Sequence, residues 1–393
     1  MDTKRSGGRE AALAALPALL LPWYDKNKRD LPWRQDTDPY RVWVSEIMLQ
    51  QTRVEAAKEH YVRFLRALPT VEDLAACPED KLLKLWEGLG YYSRARNLQK
   101  AAKIVAAEGF PSTAEGWRKL SGIGDYTAGA IASIAFGQPT PAVDGNVIRV
   151  LSRLLGDERP PEALKSSLFA ELAPAYPQAR CGDFTQSLME LGATVCTPAS
   201  PLCLTCPLFE LCRTRSDALP LPRRKQERKR SELTVLLFVR GGEAALCRRQ
   251  SGVLRGMYGF FCIEQAMDAA GVQAFLRGAG MRSFALGERR AHRHVFTHLE
   301  WEMTAYVVLS EEDAAALQNS SAAADDAAAA NQTAAAASAA GEAAAAKQSA
   351  PAHTDFAALQ YFPVERIERE ISLPSAFRWC LPLLRRAAAA ARS

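Results

Sequence analysis

Leu120-Ser121-Gly122-Ile123-Gly124-Asp125-Tyr126-Thr127-Ala128 places two glycines at a tight turn that opens into a helix of small residues, Thr127 to Ala135. Glycines let backbone approach a ligand closely, and the first turn of a helix points unbonded N–H groups at an anion. A DNA phosphate suits that arrangement, with Gly122 and Gly124 supplying the close approach. An ordinary helix–turn–helix loop has the same residues, so alone the hairpin fixes a helical setting and not a ligand.

Outward from the hairpin, residues 10–215 alternate helical apolar periodicity with glycine and proline punctuation, and strand-like alternation is scarce. The spacing predicts an all-α half. Asp38-Pro39 reads as a helix cap and first position, followed by a stripe of Tyr40, Trp43, Val44, Ile47 and Met48. Glu46 lies off that stripe with Gln50 one turn on, a pair able to face a cleft, although a lone glutamate there is ordinarily solvated. On the other side of the hairpin, Asp144 precedes the apolar helix of Val147 to Val150, where a plain N-cap explains it equally well.

Four cysteines follow in one short proline-rich loop, Cys196, Cys203, Cys206 and Cys212. Such spacing wraps a compact ion or cluster, whereas zinc ribbons supply two close pairs separated by a longer span. An iron–sulfur cluster, a zinc ion and plain buried thiols all remain open on spacing alone. The chain has nine cysteines in all, an odd number for a secreted disulfide framework, which points to a reducing compartment.

At 393 residues the chain exceeds one ordinary core, and its net charge of +5 excludes binding by bulk charge. Lys4, Arg5 and Arg9 ahead of the apolar stretch 11–21 superficially resemble a signal peptide. Pro17 interrupts that run, and Trp23 and Tyr24 stand where small residues belong, so a helix is expected instead. No apolar run is long enough to span a bilayer. Pro220, Pro222 and the basic run 223–230 mark a linker over 219–231, dividing an all-α domain at 1–218, with its metal loop at 196–212, from a second at 232–393. The second is expected to be α+β, with a hairpin of 234–240 and 243–249 around Gly241-Gly242, a helix over 266–277 and a half-buried strand through Trp301, Met303, Ala305 and Val307. Residues 320–350 are mostly alanine and read as a flexible insertion.

Taken together and in order, Trp43 to Thr52, Gly88 to Asn97, the Gly122–Gly124 hairpin, Val143 to Val147 and the cysteine loop resemble the adenine DNA glycosylases, the MutY family. The likeness is strong over residues 20–215 and weak beyond. It implies a two-domain protein: an all-α helix–hairpin–helix glycosylase domain whose Cys196, Cys203, Cys206 and Cys212 hold one 4Fe-4S cluster, then an α+β NUDIX-like domain that recognises 8-oxoguanine. The implied partner is double-stranded DNA containing adenine mispaired with 8-oxoguanine or guanine, bound by a monomer with no membrane involvement, in the cytoplasm or at the nucleoid.

By position the resemblance implies Glu46 as general acid and Asp144 as stabiliser of the sugar cation, because cleavage of an N-glycosidic bond needs one carboxyl protonated and another ionised. Tyr126 and Asn146 match residues beside the sugar, and Gln51 and Tyr91 match residues that wedge into the duplex. Tyr126 also separates the chain from the endonuclease III type, which has a Schiff-base lysine there, and implies a monofunctional enzyme. Phe296-Thr297-His298 resembles the family's Phe-Ser-His loop for 8-oxoguanine, with threonine replacing serine. No Nudix-box run of glutamates is present, so binding is expected there and not catalysis. A non-catalytic iron–sulfur DNA-binding or redox-sensing protein and a zinc-stabilised transcription regulator are the alternatives from other classes.

Overall fold

The computed structural model describes residues 3–221, 227–310 and 356–391. They fall into two units, residues 1–225 and 226–393. The alanine-rich stretch 320–350, Pro222 and residues 223–226 of the basic run lie outside the described residues.

The first unit opens with α1 (Thr3–Ala14) and α2 (Leu16–Asn27). Pro17 sits in the first turn of α2, where its missing N–H has no partner to lose. Leu13, Leu16 and Leu20 are buried in a core shared with Leu151, Leu168 and Leu188. Asp38 caps α3 (Pro39–Leu49), accepting a hydrogen bond from Arg41 N at 2.9 Å. The stripe from Tyr40 to Met48 is buried, but so are Val42, Ser45 and Glu46. The helix is therefore enclosed on nearly every side, and Glu46 is not the solvated glutamate that its place off the stripe implied.

Next come α4 (Val54–Ala67), α5 (Val71–Ala76), α6 (Glu79–Leu85), α7 (Ser93–Glu108) and α8 (Ala114–Arg118), leading to the hairpin. Gly122 has φ +80°, and a Cβ there would stand 2.8 Å from Asn97 Cβ, so both backbone and space demand glycine. The next helix, α9 (Asp125–Phe136), begins at Asp125, two residues ahead of the expected start, with Gly124 as its cap residue. It is followed by α10 (Gly145–Leu155), α11 (Pro161–Leu172) and α12 (Cys181–Thr194). The last of these packs on α2, α9 and α10. Close approach to α10 needs Gly192, whose Cβ would fall 2.6 Å from Asn146 Cβ.

The second unit is a seven-stranded mixed sheet with the order β3-β2-β1-β6-β5, while β4 pairs with β1 and β7 with β2. The strands are β1 (Lys229–Arg240), β2 (Glu243–Arg248), β3 (Tyr258–Gly259), β4 (Phe261–Ile263), β5 (Ala285–Val295), β6 (Leu299–Leu309) and β7 (Gln360–Pro363). The Gly241-Gly242 hairpin pairs Val239 with Ala244 and Arg240 with Glu243. Strand β1 runs parallel to β6 from Lys229↔Leu299 to Val239↔Leu309. It thus begins inside the stretch 219–231 expected as linker: pairing with β6 satisfies the backbone there despite the exposed basic side chains.

Period two divides the sheet's core. Val235, Leu237, Trp301, Met303 and Ala305 pack with Phe377 and Leu384 on one face, and Leu236, Phe238, Tyr306 and Val308 pack with Val272 and Leu276 on the other. Strand β6 is therefore covered on both faces beyond Ala305, where the sequence pattern predicted a half-buried strand. The covering helix, α13 (Ala269–Gly278), starts three residues later than expected because the Asp268 side chain caps it, accepting from Gly271 N at 2.7 Å.

Candidate active site

Between the hairpin, α3, α10 and α12 lies a cleft of about 670 Å³. Glu46, Gln51, Tyr91, Gly124, Tyr126, Asp144 and Asn146 all line it, and Gly122 is not part of the lining. These residues come from four separate stretches of chain, so the fold converges them.

Glu46 is 6% exposed. Tyr126 OH donates to its Oε2 at 2.7 Å. Burial pushes the Glu46 carboxyl up to about 7; the Tyr126 hydrogen bond opposes that rise, and the nearby Asp144 adds to it. The Tyr126 phenol is itself driven well above its usual 10 by burial and then by Glu46 and Asp144, so it stays a neutral donor.

Asp144 is at once a cap and a cleft residue. Its Oδ1 accepts from Val147 N at 2.8 Å at the start of α10, and its Oδ2 accepts from Asn146 Nδ2 at 2.9 Å. Burial raises its pKa and these hydrogen bonds pull it back. More donors surround Asp144 than Glu46, and the positive end of α10 faces it, so ionisation is favoured at Asp144 and protonation at Glu46. Asn146 is held in turn by Arg149 Nη2, which donates to its Oδ1 at 2.8 Å.

Gln51 and Tyr91 stand at the rim, both with left-handed backbone, φ 57° and 45°. Non-glycine residues rarely adopt that conformation, and it projects each side chain from a sharp corner. Tyr91 is 47% exposed.

Sequence reasoning missed a further acidic group in the cleft. Glu190 on α12 is fully buried, with Arg29 Nε at 2.7 Å and Arg34 Nη2 at 2.8 Å. Burial alone would raise its pKa, but the hydrogen bonds from Arg29 and Arg34 outweigh it and hold the carboxyl down at about 2. The available signal was a glutamate amid the apolar positions Phe184, Leu188 and Leu191 of one helix.

The four loop cysteines border one small space beneath α10. Arg153 Nη1 points at Cys196 Sγ from 3.3 Å and donates to Thr197 O at 2.7 Å, and Arg149 Nε donates to Cys196 O at 2.7 Å. Burial pushes the Cys206 thiol up to about 11, and the other three cysteines add to the rise. The Cys206 thiol therefore needs a positive centre beside it to become a thiolate. Among the described residues no three His, Cys, Asp or Glu side chains converge tightly enough to grip a single ion.

In the second unit Phe296, Thr297 and His298 form the turn between β5 and β6. Phe296 N donates to Leu299 O at 2.7 Å, and Lys229 N to His298 O at 3.2 Å. The Phe296 ring is half-buried edge-on against Trp301 at 4.8 Å, so it anchors the turn, while Thr297 and His298 are exposed. Among the described residues no helix is long and apolar enough to cross a membrane.

Residues 44–174 match the family model described as HhH-GPD superfamily base excision DNA repair protein. The adenine DNA glycosylase of Homo sapiens is 48% identical over 219 residues, covering 52% of this chain and 40% of the human protein. That of Schizosaccharomyces pombe is 44% identical over 227 residues, covering 50% of this chain and 48% of that protein. The chain thus spans less than half the length of these curated relatives. A solved thermostable thymine-DNA glycosylase is 27% identical with a TM-score of 0.48, covering 53% of this chain and 97% of that one.

Proposed function

We propose, from a helical unit that carries the HhH-GPD superfamily region and is akin to the adenine DNA glycosylases of the MutY family, that this protein is a base excision repair enzyme removing adenine from duplex DNA. The observation that carries the proposal is the buried Glu46 carboxyl, raised to about 7 and hydrogen-bonded to Tyr126 in the same cleft as Asp144.

In this reading Gln51 and Tyr91 enter the stack as adenine is extruded, and filling the gap offsets a few kcal/mol of unstacking. Tyr126 occupies Glu46 Oε2, leaving Oε1 to carry the proton. Glu46 gives that proton to a ring nitrogen of adenine as the bond to the sugar breaks, its electron pair leaving with the base. Ionised Asp144 balances the positive charge that develops on the sugar. Water then adds to the sugar and its proton returns to Glu46, leaving free adenine and an abasic site. Tyr126 has no amine for a Schiff base, so the strand stays intact.

The cysteine loop suits a 4Fe-4S cluster. Four sulfurs from one short loop border one space, and one Cys-x-x-Cys with a single cysteine on each side supplies the four thiolates such a cluster takes. Cys196, Cys203, Cys206 and Cys212 would be its ligands, and its role is to hold the loop that Arg149 and Arg153 join to α10. For the second, NUDIX-like unit, an anchored turn with exposed Thr297 and His298 supports recognition of 8-oxoguanine opposite the adenine.

The test is single-turnover formation of alkali-labile sites in duplexes with adenine opposite 8-oxoguanine, guanine or thymine. Excision is expected opposite the first two and not the third, with no borohydride-trapped adduct. Purified protein should contain iron and acid-labile sulfide. His298→Ala should slow the 8-oxoguanine duplex selectively, by about 1–3 kcal/mol of lost contact. No excision from any duplex overturns the proposal, and equal slowing on both mismatches overturns the role of the turn.

A further inference from the structure

Arg94 is buried on α7, and its guanidinium gathers main-chain carbonyls in place of a carboxylate. Nη1 donates to Ile47 O at 2.8 Å, to Met48 O at 3.1 Å and to Gln50 O. Nη2 donates to Leu89 O at 2.9 Å and Gly90 O at 3.3 Å. One planar fork therefore joins the C-terminal end of α3 to the loop ahead of α7. The peptide carbonyls it reaches at Gln50 and Gly90 are those immediately before Gln51 and Tyr91, the two left-handed corners of the cleft rim. A charge with no acid partner among the described residues is expensive to bury; the carbonyls at the end of α3 offset that cost, together with Thr52 Oγ1 at 3.3 Å and the rings of Trp86 and Tyr91 at 5.4 and 5.6 Å. Lysine, a point charge on a flexible stem, cannot span both loops.

We propose that Arg94 is the positioning residue that sets Gln51 and Tyr91 as one preformed wedge, by holding the carbonyl before each. This rests on the glycosylase reading above. Arg94 borders the cleft but makes no hydrogen bond to Glu46 or Asp144, so its proposed contribution belongs to extrusion of the base and not to bond cleavage.

The experiment compares single-turnover excision of adenine from a fully flanked mismatched duplex with excision from an unpaired bubble, where no stack has to be opened, using whole protein. A 2-aminopurine beside the target reports extrusion. Arg94→Lys should lose about 10–100-fold on the duplex, with a matching loss of the fluorescence change, and stay near wild type on the bubble. Added to a Gln51→Gly, Tyr91→Gly background it should cost nothing more, since the wedge is already gone. Equal loss on duplex and bubble, or full additivity with the wedge substitutions, would overturn the proposal. If Arg94→Lys does not fold, Arg94→Gln, which keeps a neutral donor for one loop, is read the same way. Failure of both to fold would make Arg94 a folding residue and also overturn it. Wild-type protein that excises adenine from neither substrate would instead sink the glycosylase reading.

Discussion

Two buried glutamates, one on α3 and one on α12, line one cleft and behave in opposite ways. Glu190 meets Arg29 and Arg34 and is held down at about 2, whereas Glu46 meets a neutral tyrosine and rises to about 7. Burial is common to both, so the difference comes from the partner. A guanidinium turns a buried carboxylate into a permanent fixture; a phenol satisfies one oxygen without supplying the charge that would ionise the group. Glu190 is held charged by its arginines, and Glu46 is left able to exchange a proton, as the proposed reaction requires.

The sharpest way to break this comparison is to remove the proton. Glu46→Gln keeps size and hydrogen bonding and should lower single-turnover adenine excision by about 10²–10⁴-fold, with mismatch binding retained. Near-normal excision would mean that the proton comes from elsewhere.

Stability should move the other way. Glu190→Gln leaves two arginines facing a neutral amide and should cost about 3–5 kcal/mol in urea unfolding at pH 7. Glu46→Gln should stabilise. Because the folded pKa of Glu46 lies above its usual 4.5, the penalty for ionising it grows between pH 4.5 and about 7 and is complete above that. At about 1.4 kcal/mol per pH unit the gain at pH 9 has an upper bound of ~3 kcal/mol, and it should vanish at pH 4. For Glu190 the sign reverses: its contribution is present above pH 4.5 and is lost as the pH falls towards 2. Parallel pH profiles for the two substitutions would erase the distinction.

Local signals were legible in the sequence, and distant ones much less so. Asp38 and the stripe from Tyr40 to Met48 gave α3 its cap and register, since both depend on neighbours within two turns. Periodicity could not place Glu46, because a helix enclosed on nearly every side buries residues off its stripe, and only the likeness of 43–52 to a family motif singled it out. The Glu190 pairs were invisible because Arg29 lies 161 residues away and Arg34 lies 156 away. Lys229 to Ser231 read as linker by charge and are strand by pairing with Leu299 to Trp301. The family likeness singled out Glu46, Asp144 and Tyr126, and spacing singled out the cysteines, but neither pointed to the arginines nearby. Arg94, Arg149 and Arg153 bond mainly to carbonyls, a role that leaves no mark on spacing.

The pH dependence of single-turnover excision on the 8-oxoguanine:adenine duplex, in wild type and in Tyr126→Phe, tests the central claim most directly. With Glu46 as the acid, the wild-type rate should fall as pH rises through about 7. The Tyr126 hydrogen bond lowers the Glu46 pKa, so its removal in Tyr126→Phe should move that alkaline limb to higher pH. A wild-type rate flat from about pH 6 to 9, or a limb that stays in place without the phenol, would contradict Glu46 as the proton donor.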